Sequence, residues 1–257
     1  MKNIIFIFYI ISLLYSNTLF AQIVQNDTSI CAGDSVMIQF IVPCYDSIYN
    51  ENLTYGVVAD VEGNEYKTIQ IGTQEWMAQN LKTGTYNNGD PIIRVTDNTQ
   101  WSNLDQNQTG AWAYFDNDSA TYDCPYGKLY NFYALEDPRG ICPSGWHIPT
   151  DAEWNTLRDF LDPAAIGNNN IAGGMMKSVG TMYWAAPNTG ATNSSGWSGL
   201  PGGYRFSNPG VFASFGSGGF WWSASSRGRS LAFDDAVLLD YNPNDKRFGL
   251  SCRCIKD

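Results

Sequence analysis

The sequence predicts an α+β fold in which two short helices pack on twisted antiparallel sheets that are joined by long loops and tied by disulfides. Helical patterns are confined to residues 129–161, and short β segments with Gly-rich turns follow from Gly196 onward. This segregation favours α+β over an alternating parallel sheet. The six cysteines, an even number, favour disulfides in an oxidising compartment.

The first 21 residues have the features of a secretory signal peptide. Lys2 carries the only charge, and an apolar run extends from Ile4 to about Tyr15. This run is shorter than the roughly 20 residues that a membrane-spanning helix needs. We expect cleavage near Ala21 and a secreted or cell-surface product with no membrane span in the mature chain.

The charge balance limits the class of partner. The chain has 25 acidic and 15 basic residues, a formal net charge of −10. Nucleic acids and anionic membranes are bound by clustered Lys and Arg, so neither is an expected partner. At this length we expect one domain over residues 55–257, preceded by a short extension over residues 22–54 with a disulfide-closed loop.

The domain is predicted to begin with a β-hairpin. Glu65–Ile71 has strand propensity, and Gly72–Gln74 reverses the chain into Glu75–Leu81. Residues 83–125 are rich in Asn, Asp, Gly and Thr, so they are predicted to form long ordered loops.

Two helices are predicted next. Leu129–Leu135 is expected to be a short helix packed on the sheet. Thr150 and Glu153 have the spacing of a capping box, in which each side chain accepts a hydrogen bond from the other residue's backbone N–H. Apolar residues then recur at helical spacing and predict a helix from about Asp151 to Leu161 with one buried face. The residues of that face are Trp154, Leu157, Phe160 and Leu161.

The last third of the chain is predicted to consist of short strands, because apolar and aromatic residues there are separated by Gly-rich turns. The predicted strands are Trp197–Leu200, Gly203–Phe206, Phe212–Phe215, Phe220–Ala224, Ala232–Tyr241 and Phe248–Ile255.

A series of motifs resembles the Fibrobacter succinogenes major paralogous domain family, in order, over roughly residues 58–257. The resemblance implies an exported protein with a C-type-lectin-like fold, which is shared more distantly with formylglycine-generating proteins. It gives more about the fold than about the function. The matching segments are Gly63–Leu81, Tyr126–Asn131, Cys142–Thr150, Gly190–Arg205, Trp221–Ser223 and Gly249–Asp257.

The resemblance also implies a disulfide pattern. In the resembled fold the turn before the capped helix is tied to the last strand, which would join Cys142 to Cys254. Cys252 lies two residues earlier and would face the same side of a strand, with Cys124 as its partner. Other connectivities stay open, and a zinc site is disfavoured because the chain has one histidine. The preferred pairs are Cys31–Cys44, Cys124–Cys252 and Cys142–Cys254.

In the resembled fold the Gly-rich segment around the two adjacent tryptophans leads toward the ligand-facing surface. Adjacent strand residues point to opposite faces, so one tryptophan is expected in the core and the other is the candidate for ligand contact, while core packing is the favoured role for either one taken alone. Aromatic rings stack on sugars and also anchor protein interfaces. The candidate ligand-binding residues are Asn193, Tyr204, Arg205, Trp221, Trp222 and Arg227.

A structural calcium ion is a weaker expectation, and no other cofactor is expected. Carboxylate and amide oxygens are ligands that Ca²⁺ prefers, but surface loops rich in Asp and Asn are common without an ion. The candidate ligands are Asp234, Asp235, Asp240 and Asp245.

We expect an exported, non-enzymatic binding or adhesion module whose ligand is a glycan or a surface protein. His147 has no nucleophile motif beside it and is expected to be structural. Two alternatives stay open: an oxygen- or metal-dependent enzyme of the formylglycine-generating type, and a structural envelope protein. Such an enzyme needs a reactive cysteine pair near the C-terminal core, and only Cys252 and Cys254 follow Gly203.

Overall fold

The structure is a computed structural model that describes residues 48–257. This part of the chain combines short strands and short helices. The strands are β1 (Gly56–Ala59), β2 (Glu65–Ile71), β3 (Gln74–Met77), β4 (Ile93–Arg94), β5 (Ala111–Ala113), β6 (Leu129–Tyr130), β7 (Trp146–His147), β8 (Gly202–Arg205), β9 (Phe212–Phe215), β10 (Gly218–Trp222), β11 (Gly228–Ala232), β12 (Leu239–Tyr241) and β13 (Ile255–Lys256). The helices are α1 (Asn98–Ser102), α2 (Ser119–Tyr126), α3 (Phe132–Leu135), α4 (Asp151–Leu161) and α5 (Ala172–Met176).

The strands form three sheets. The first has the order β1-β2-β3-β13-β7, the second β12-β11-β10-β8-β9, and the third β4-β5-β6. Most neighbouring strands are antiparallel, as predicted, but β4 and β5 are parallel and so are β8 and β10. The predicted α+β class is confirmed, and the described residues contain five α-helices rather than the two expected.

The predicted hairpin is confirmed by β2 and β3, which pair antiparallel. Gly72 lies in the turn with a φ of +60°, and a Cβ there would lie 2.8 Å from the ring of Phe160. A side chain at position 72 would therefore meet both backbone strain and a steric clash.

The predicted helix at Asp151–Leu161 is confirmed as α4, with both hydrogen bonds of its capping box. Glu153 N–H donates to Thr150 Oγ1 at 3.2 Å, and Thr150 N–H donates to Glu153 Oε2 at 2.7 Å. The expected burial of Phe160 is wrong, because its side chain is 57% exposed. Its ring instead covers Gly72 near the end of the helix.

Several predicted elements differ from the structure. The start of the expected helix Leu129–Leu135 is β6, and residues 83–125 contain β4, α1, β5 and α2 in addition to loops. Trp197–Leu200 forms no strand, because side chains bind its carbonyls: Arg253 donates to two of them, and Trp184 Nε1 donates to the Gly199 carbonyl at 3.0 Å. The predicted strand Ala232–Tyr241 is replaced by the ends of β11 and β12 with a loop between them.

Strand β10 separates two hydrophobic cores. Trp222 belongs to the core that contains Tyr130 and Phe132, and Trp221 belongs to a second core. The second core is built on a chain of fully buried indoles whose successive ring centroids are 4.8, 5.8 and 4.8 Å apart. The indoles are Trp76, Trp154, Trp197 and Trp221.

The Cys142–Cys254 disulfide is present, as the resemblance implied. Closing a loop over this separation of 112 residues adds about 4–5 kcal/mol in the chain-entropy description. The predicted Cys124–Cys252 bond is wrong: Cys252 is a free, buried thiol, and Cys124 is disulfide-bonded but not to Cys252. Cys252 and Cys254 both lie beside Cys142, which can bond to one of them.

The predicted Cys31–Cys44 bond and the signal peptide lie outside the described residues. Residues 48–54 already belong to the folded unit, since Ile48 is 2% exposed and its carbonyl accepts a hydrogen bond from Asn193. Within residues 48–257, no helix has the length and apolar character needed to cross a membrane.

Candidate functional site

Asn193, a predicted ligand-binding residue, is buried and supports the backbone. Its Nδ2 donates to the Ile48 carbonyl at 2.9 Å and to Ser198 Oγ at 3.0 Å, while its Oδ1 accepts from Ser198 N–H at 3.0 Å. The amide is 2% exposed, so it presents no surface to a ligand. The prediction for this residue is therefore corrected to a structural role.

Arg205 is also buried, with 0% exposure. Its guanidinium donates to the carbonyls of Val95 at 2.6 Å and Gly210 at 2.7 Å, and it lies 4.3 Å from the ring centroid of Trp101. Burial lowers its pKa to about 10, so it keeps its charge at neutral pH. Arg205 thus fastens two loops to β8 and is not exposed to a ligand.

Both adjacent tryptophans are in the core, so the expectation that one of them faces a ligand is wrong. Trp221 donates from Nε1 to Asn80 Oδ1 at 2.9 Å, and Trp222 donates from Nε1 to the Tyr130 carbonyl at 2.8 Å. The two side chains do point to opposite faces of β10, but each face is covered by one of the two cores.

Tyr204 is the predicted residue that does reach a surface. It belongs to a group of half-buried rings at the edge of the first core, which we call the aromatic surface. The Tyr204 ring centroid lies 4.9 Å from that of Phe206 and 4.8 Å from that of Phe220, in edge-to-face contacts. The members are Tyr204, Phe206, Phe220, Tyr241 and Phe248.

Strand alternation positions the aromatic surface. Tyr204 and Phe206 lie two residues apart, with the inward-pointing Arg205 between them. Tyr241 on β12 lies 5.0 Å from Phe220 on β10, across β11. Three of the rings thus come from separate strands of the second sheet, while Phe206 directly follows β8 and Phe248 lies outside the strands.

The rim of the aromatic surface is polar. Asn242 and Asn244 follow Tyr241 and are exposed. Arg227 is exposed as well, and it precedes Gly228, the residue that pairs with Tyr241 in the sheet. Burial, with a smaller contribution from Tyr204, raises the pKa of Tyr241 to about 12, so this phenol is neutral at physiological pH and can donate a hydrogen bond.

The four aspartates proposed for calcium do not converge. Asp240 is paired with Arg229 at 3.1 Å and Asp245 with Arg247 at 2.6 Å, while Asp234 is exposed. Among residues 48–257, the cysteines 142, 252 and 254 are the sole group of three metal-ligand side chains close enough to share an ion. The aspartates thus have other roles in this part of the chain.

The backbone near Asp235 is organised by an ammonium group. Lys177 is 0% exposed, and its Nζ donates to the carbonyls of Thr189 at 2.9 Å, Ala232 at 2.8 Å and Asp235 at 2.6 Å. An ammonium has three donors, and all three are used. Lys177 thus supplies the positive charge that a calcium ion would bring to these carbonyls.

His147 is held between two carboxylates. Its Nδ1 lies 2.7 Å from Asp257 Oδ1, and its Nε2 lies 2.9 Å from Glu153 Oε1. Partial burial acts to lower the pKa of His147, but the hydrogen bonds to these carboxylates outweigh it and raise the pKa above its usual value. When the ring is protonated, both nitrogens donate to these carboxylates and neither keeps a lone pair for general base catalysis, which fits the expected structural role.

Sequence reasoning missed Phe206, Tyr241 and Phe248 as companions of Tyr204. The alternation of Tyr204 and Phe206 in a predicted strand could have placed those two on one face. Tyr241 and Phe248 come from other elements, and the sequence gives no indication that they meet Tyr204. Lys177 was missed too, because a lysine in a Gly- and Met-rich segment carries no motif.

A comparison with protein families identifies one match. The family model described as the Fibrobacter succinogenes major domain matches residues 69–256. No curated protein and no solved structure matches the chain.

Proposed function

Because the chain belongs to the Fibrobacter succinogenes major domain family, we propose that it is an exported, non-enzymatic binding or adhesion module that uses the aromatic surface to bind a glycan outside the cell. The single observation that carries the proposal is the cluster of five half-buried rings around Tyr204 with exposed amides beside it. Rings pack against the C–H faces of sugars, and amide and phenol groups hydrogen-bond their hydroxyls.

The finer fold assignment is part of this proposal. We propose a C-type-lectin-like fold, and two contacts support it. The last strand, β13, lies in the first sheet between β3 and β7, and Cys254 next to it is bonded to Cys142 in the turn before α4. The aromatic surface lies on the other five-stranded sheet, the second one.

Export is supported by two independent features. The apolar run from Ile4 to about Tyr15 has the length of a signal peptide rather than a membrane span. A disulfide between Cys142 and Cys254 persists in an oxidising compartment and is rarely kept in a reducing one.

The enzyme alternative has less support. An oxidase of the formylglycine-generating type needs two reactive thiols, whereas Cys254 is bonded to Cys142 and Cys252 is fully buried. Burial raises the pKa of the Cys252 thiol, which disfavours the reactive thiolate.

The test is a glycan array probed with the purified exported chain, alongside a pull-down from extracellular protein. We expect saturable glycan binding that Phe206→Ala and Tyr204→Ala weaken at least about tenfold, the loss of about 1.4 kcal/mol or more of contact energy. Phe160→Ala is the matched control, because Phe160 is an exposed ring on a different element, α4.

The melting temperature of each variant must stay close to that of the wild type, so that lost binding is not lost folding. Tyr204→Phe removes only the hydroxyl, so it distinguishes a hydrogen bond from the hydroxyl to the glycan from contact between the ring and the glycan. Blank results in both screens would refute the binding module. Binding of a protein but no glycan would refute the ligand class, and binding unchanged in Phe206→Ala and Tyr204→Ala would refute the site.

A further inference from the structure

Three sulfur atoms meet where the last segment of the chain passes the turn before α4. The Sγ atoms of Cys142, Cys252 and Cys254 all lie within 4.8 Å of one another. Cys142 and Cys254 form the disulfide, and Cys252 is a free thiol with 0% exposure. A thiol beside a disulfide provides both reactants of thiol–disulfide exchange.

The backbone holds Cys252 and Cys254 in place whichever of them is bonded. Leu81 N–H donates to the Cys252 carbonyl at 2.8 Å, and Met77 N–H donates to the Cys254 carbonyl at 3.0 Å. Both bonds fasten the segment to β3 and the residues that follow it. A change of disulfide partner therefore requires sulfur atoms to move by a few ångströms while the segment keeps its register.

We propose that Cys252 is a reserve disulfide partner for Cys142. The Cys252 thiol gives its proton to solvent, and the thiolate attacks Sγ of Cys142. The Cys142–Cys252 bond forms as the Cys142–Cys254 bond breaks, and the sulfur of Cys254 leaves as a thiolate that takes up one proton. No oxidant or reductant is consumed, and the last segment stays tied to the turn.

Burial keeps this exchange latent in the closed structure. Because the thiol of Cys252 is enclosed, its pKa is raised and it stays protonated at neutral pH. Opening of the last segment, or loss of the Cys254 sulfur, would allow it to react. If the Cys252 thiolate attacked Cys254 instead, the new disulfide would join two residues of the same short segment. The stabilisation from the long loop that Cys142 closes would then be lost.

The first test uses Cys254→Ser in the full exported chain, folded with oxidised glutathione, which accepts the two electrons released when two thiols join. We expect mass spectrometry of a non-reduced digest to show the Cys142–Cys252 link in most molecules. The matched control is the double variant Cys252→Ser with Cys254→Ser, in which no link between Cys142 and the last segment can form. The proposal is overturned if Cys142 and Cys252 of Cys254→Ser both stay open to alkylation.

The second test needs no folding of a variant. Wild-type protein is held near pH 8.5, about the usual pKa of a free thiol, in a denaturant concentration below its unfolding transition, so that the last segment opens transiently, and samples are quenched in acid over time. We expect the Cys142–Cys252 link to appear at a rate independent of protein concentration, together with an alkylatable Cys254. A Cys142–Cys254 link that stays unchanged while Cys252 becomes alkylated, or a dominant Cys252–Cys254 link, contradicts the proposal.

Discussion

Arg253 and Tyr204 differ in what their side chains contact: Arg253 hydrogen-bonds buried groups of the scaffold, whereas Tyr204 belongs to the partly exposed aromatic surface. Arg253 is 1% exposed and donates from Nε to Asn80 Oδ1 at 2.8 Å and from Nη2 to the Ser198 carbonyl at 3.1 Å. Tyr204 packs against other half-buried rings and keeps part of its surface in solvent. The charged residue supports the scaffold, and the aromatic residue is left partly exposed to solvent.

The cause of this division is the large share of irregular backbone. Carbonyls outside strands and helices have no ladder partner, and a buried one needs a donor from elsewhere. Arg253 and Lys177 supply several donors each, and the three hydrogen-bond acceptors of Lys177 are all backbone carbonyls. In a loop-rich domain a buried cation can therefore replace the missing hydrogen bonds of a sheet.

The largest effect is expected for Arg253→Met. The substitution removes the donors to Asn80 and to the Trp197 and Ser198 carbonyls, and it removes the guanidinium that lies 3.7 Å from the Trp197 ring centroid. Asn80 Oδ1 keeps its hydrogen bond from Trp221, but the two carbonyls left without a partner cost about 1–3 kcal/mol each, so we expect the free energy of unfolding to fall by roughly 3–5 kcal/mol. Chemical denaturation measures this loss.

Arg253→Lys sharpens the comparison. Lysine offers a single ammonium in place of the planar fork and cannot span the same acceptors, so it should recover only part of the stability. Full recovery would mean that charge rather than hydrogen-bond geometry matters at this position. If Arg253→Met lowered the free energy of unfolding no more than Phe206→Ala does, the distinction between the buried cation and the aromatic surface would be contradicted.

A smaller fall in the free energy of unfolding is expected for Lys177→Met, about 2–4 kcal/mol, because three carbonyls lose one common donor group and the methionine still fills the space. Chemical denaturation measures this loss as well.

Calcium should not raise the melting temperature of the wild type, since the ammonium already occupies the point where these carbonyls meet. A calcium-dependent rise in the wild type would show that the chain binds calcium at a place other than these carbonyls.

The regular elements were accessible to sequence reasoning because their causes are local. The hairpin of β2 and β3 follows from strand propensity and Gly72, and α4 follows from the capping box of Thr150 and Glu153. The Cys142–Cys254 bond was implied by the family resemblance. In each case neighbours in sequence, or a motif, determine the outcome.

The site was less accessible because burial is a tertiary property. Alternation correctly placed Trp221 and Trp222 on opposite faces of a strand, but it could not show that a core covers each face. The same limit applies to Arg205, whose acceptors at Val95 and Gly210 are set by the folded loops. It also applies to Cys252, because its position in the sequence does not decide whether Cys252 or Cys254 is bonded to Cys142.

The smallest effect is expected at His147, which is neither fully buried like Arg253 nor part of the aromatic surface: its ring contacts two carboxylates and is about one-third exposed. Its pKa is raised in the folded chain, so its stabilising contribution is complete below about pH 6.5, the unfolded value, and is lost as the pH rises through the folded pKa. Exposed ion pairs contribute roughly 0–1 kcal/mol. The stability difference between the wild type and His147→Gln should therefore narrow as the pH rises, in thermal denaturation at matched ionic strength. A difference that widens with pH would mean that the neutral ring is the stabilising form and that Glu153 and Asp257 do not hold a proton on it.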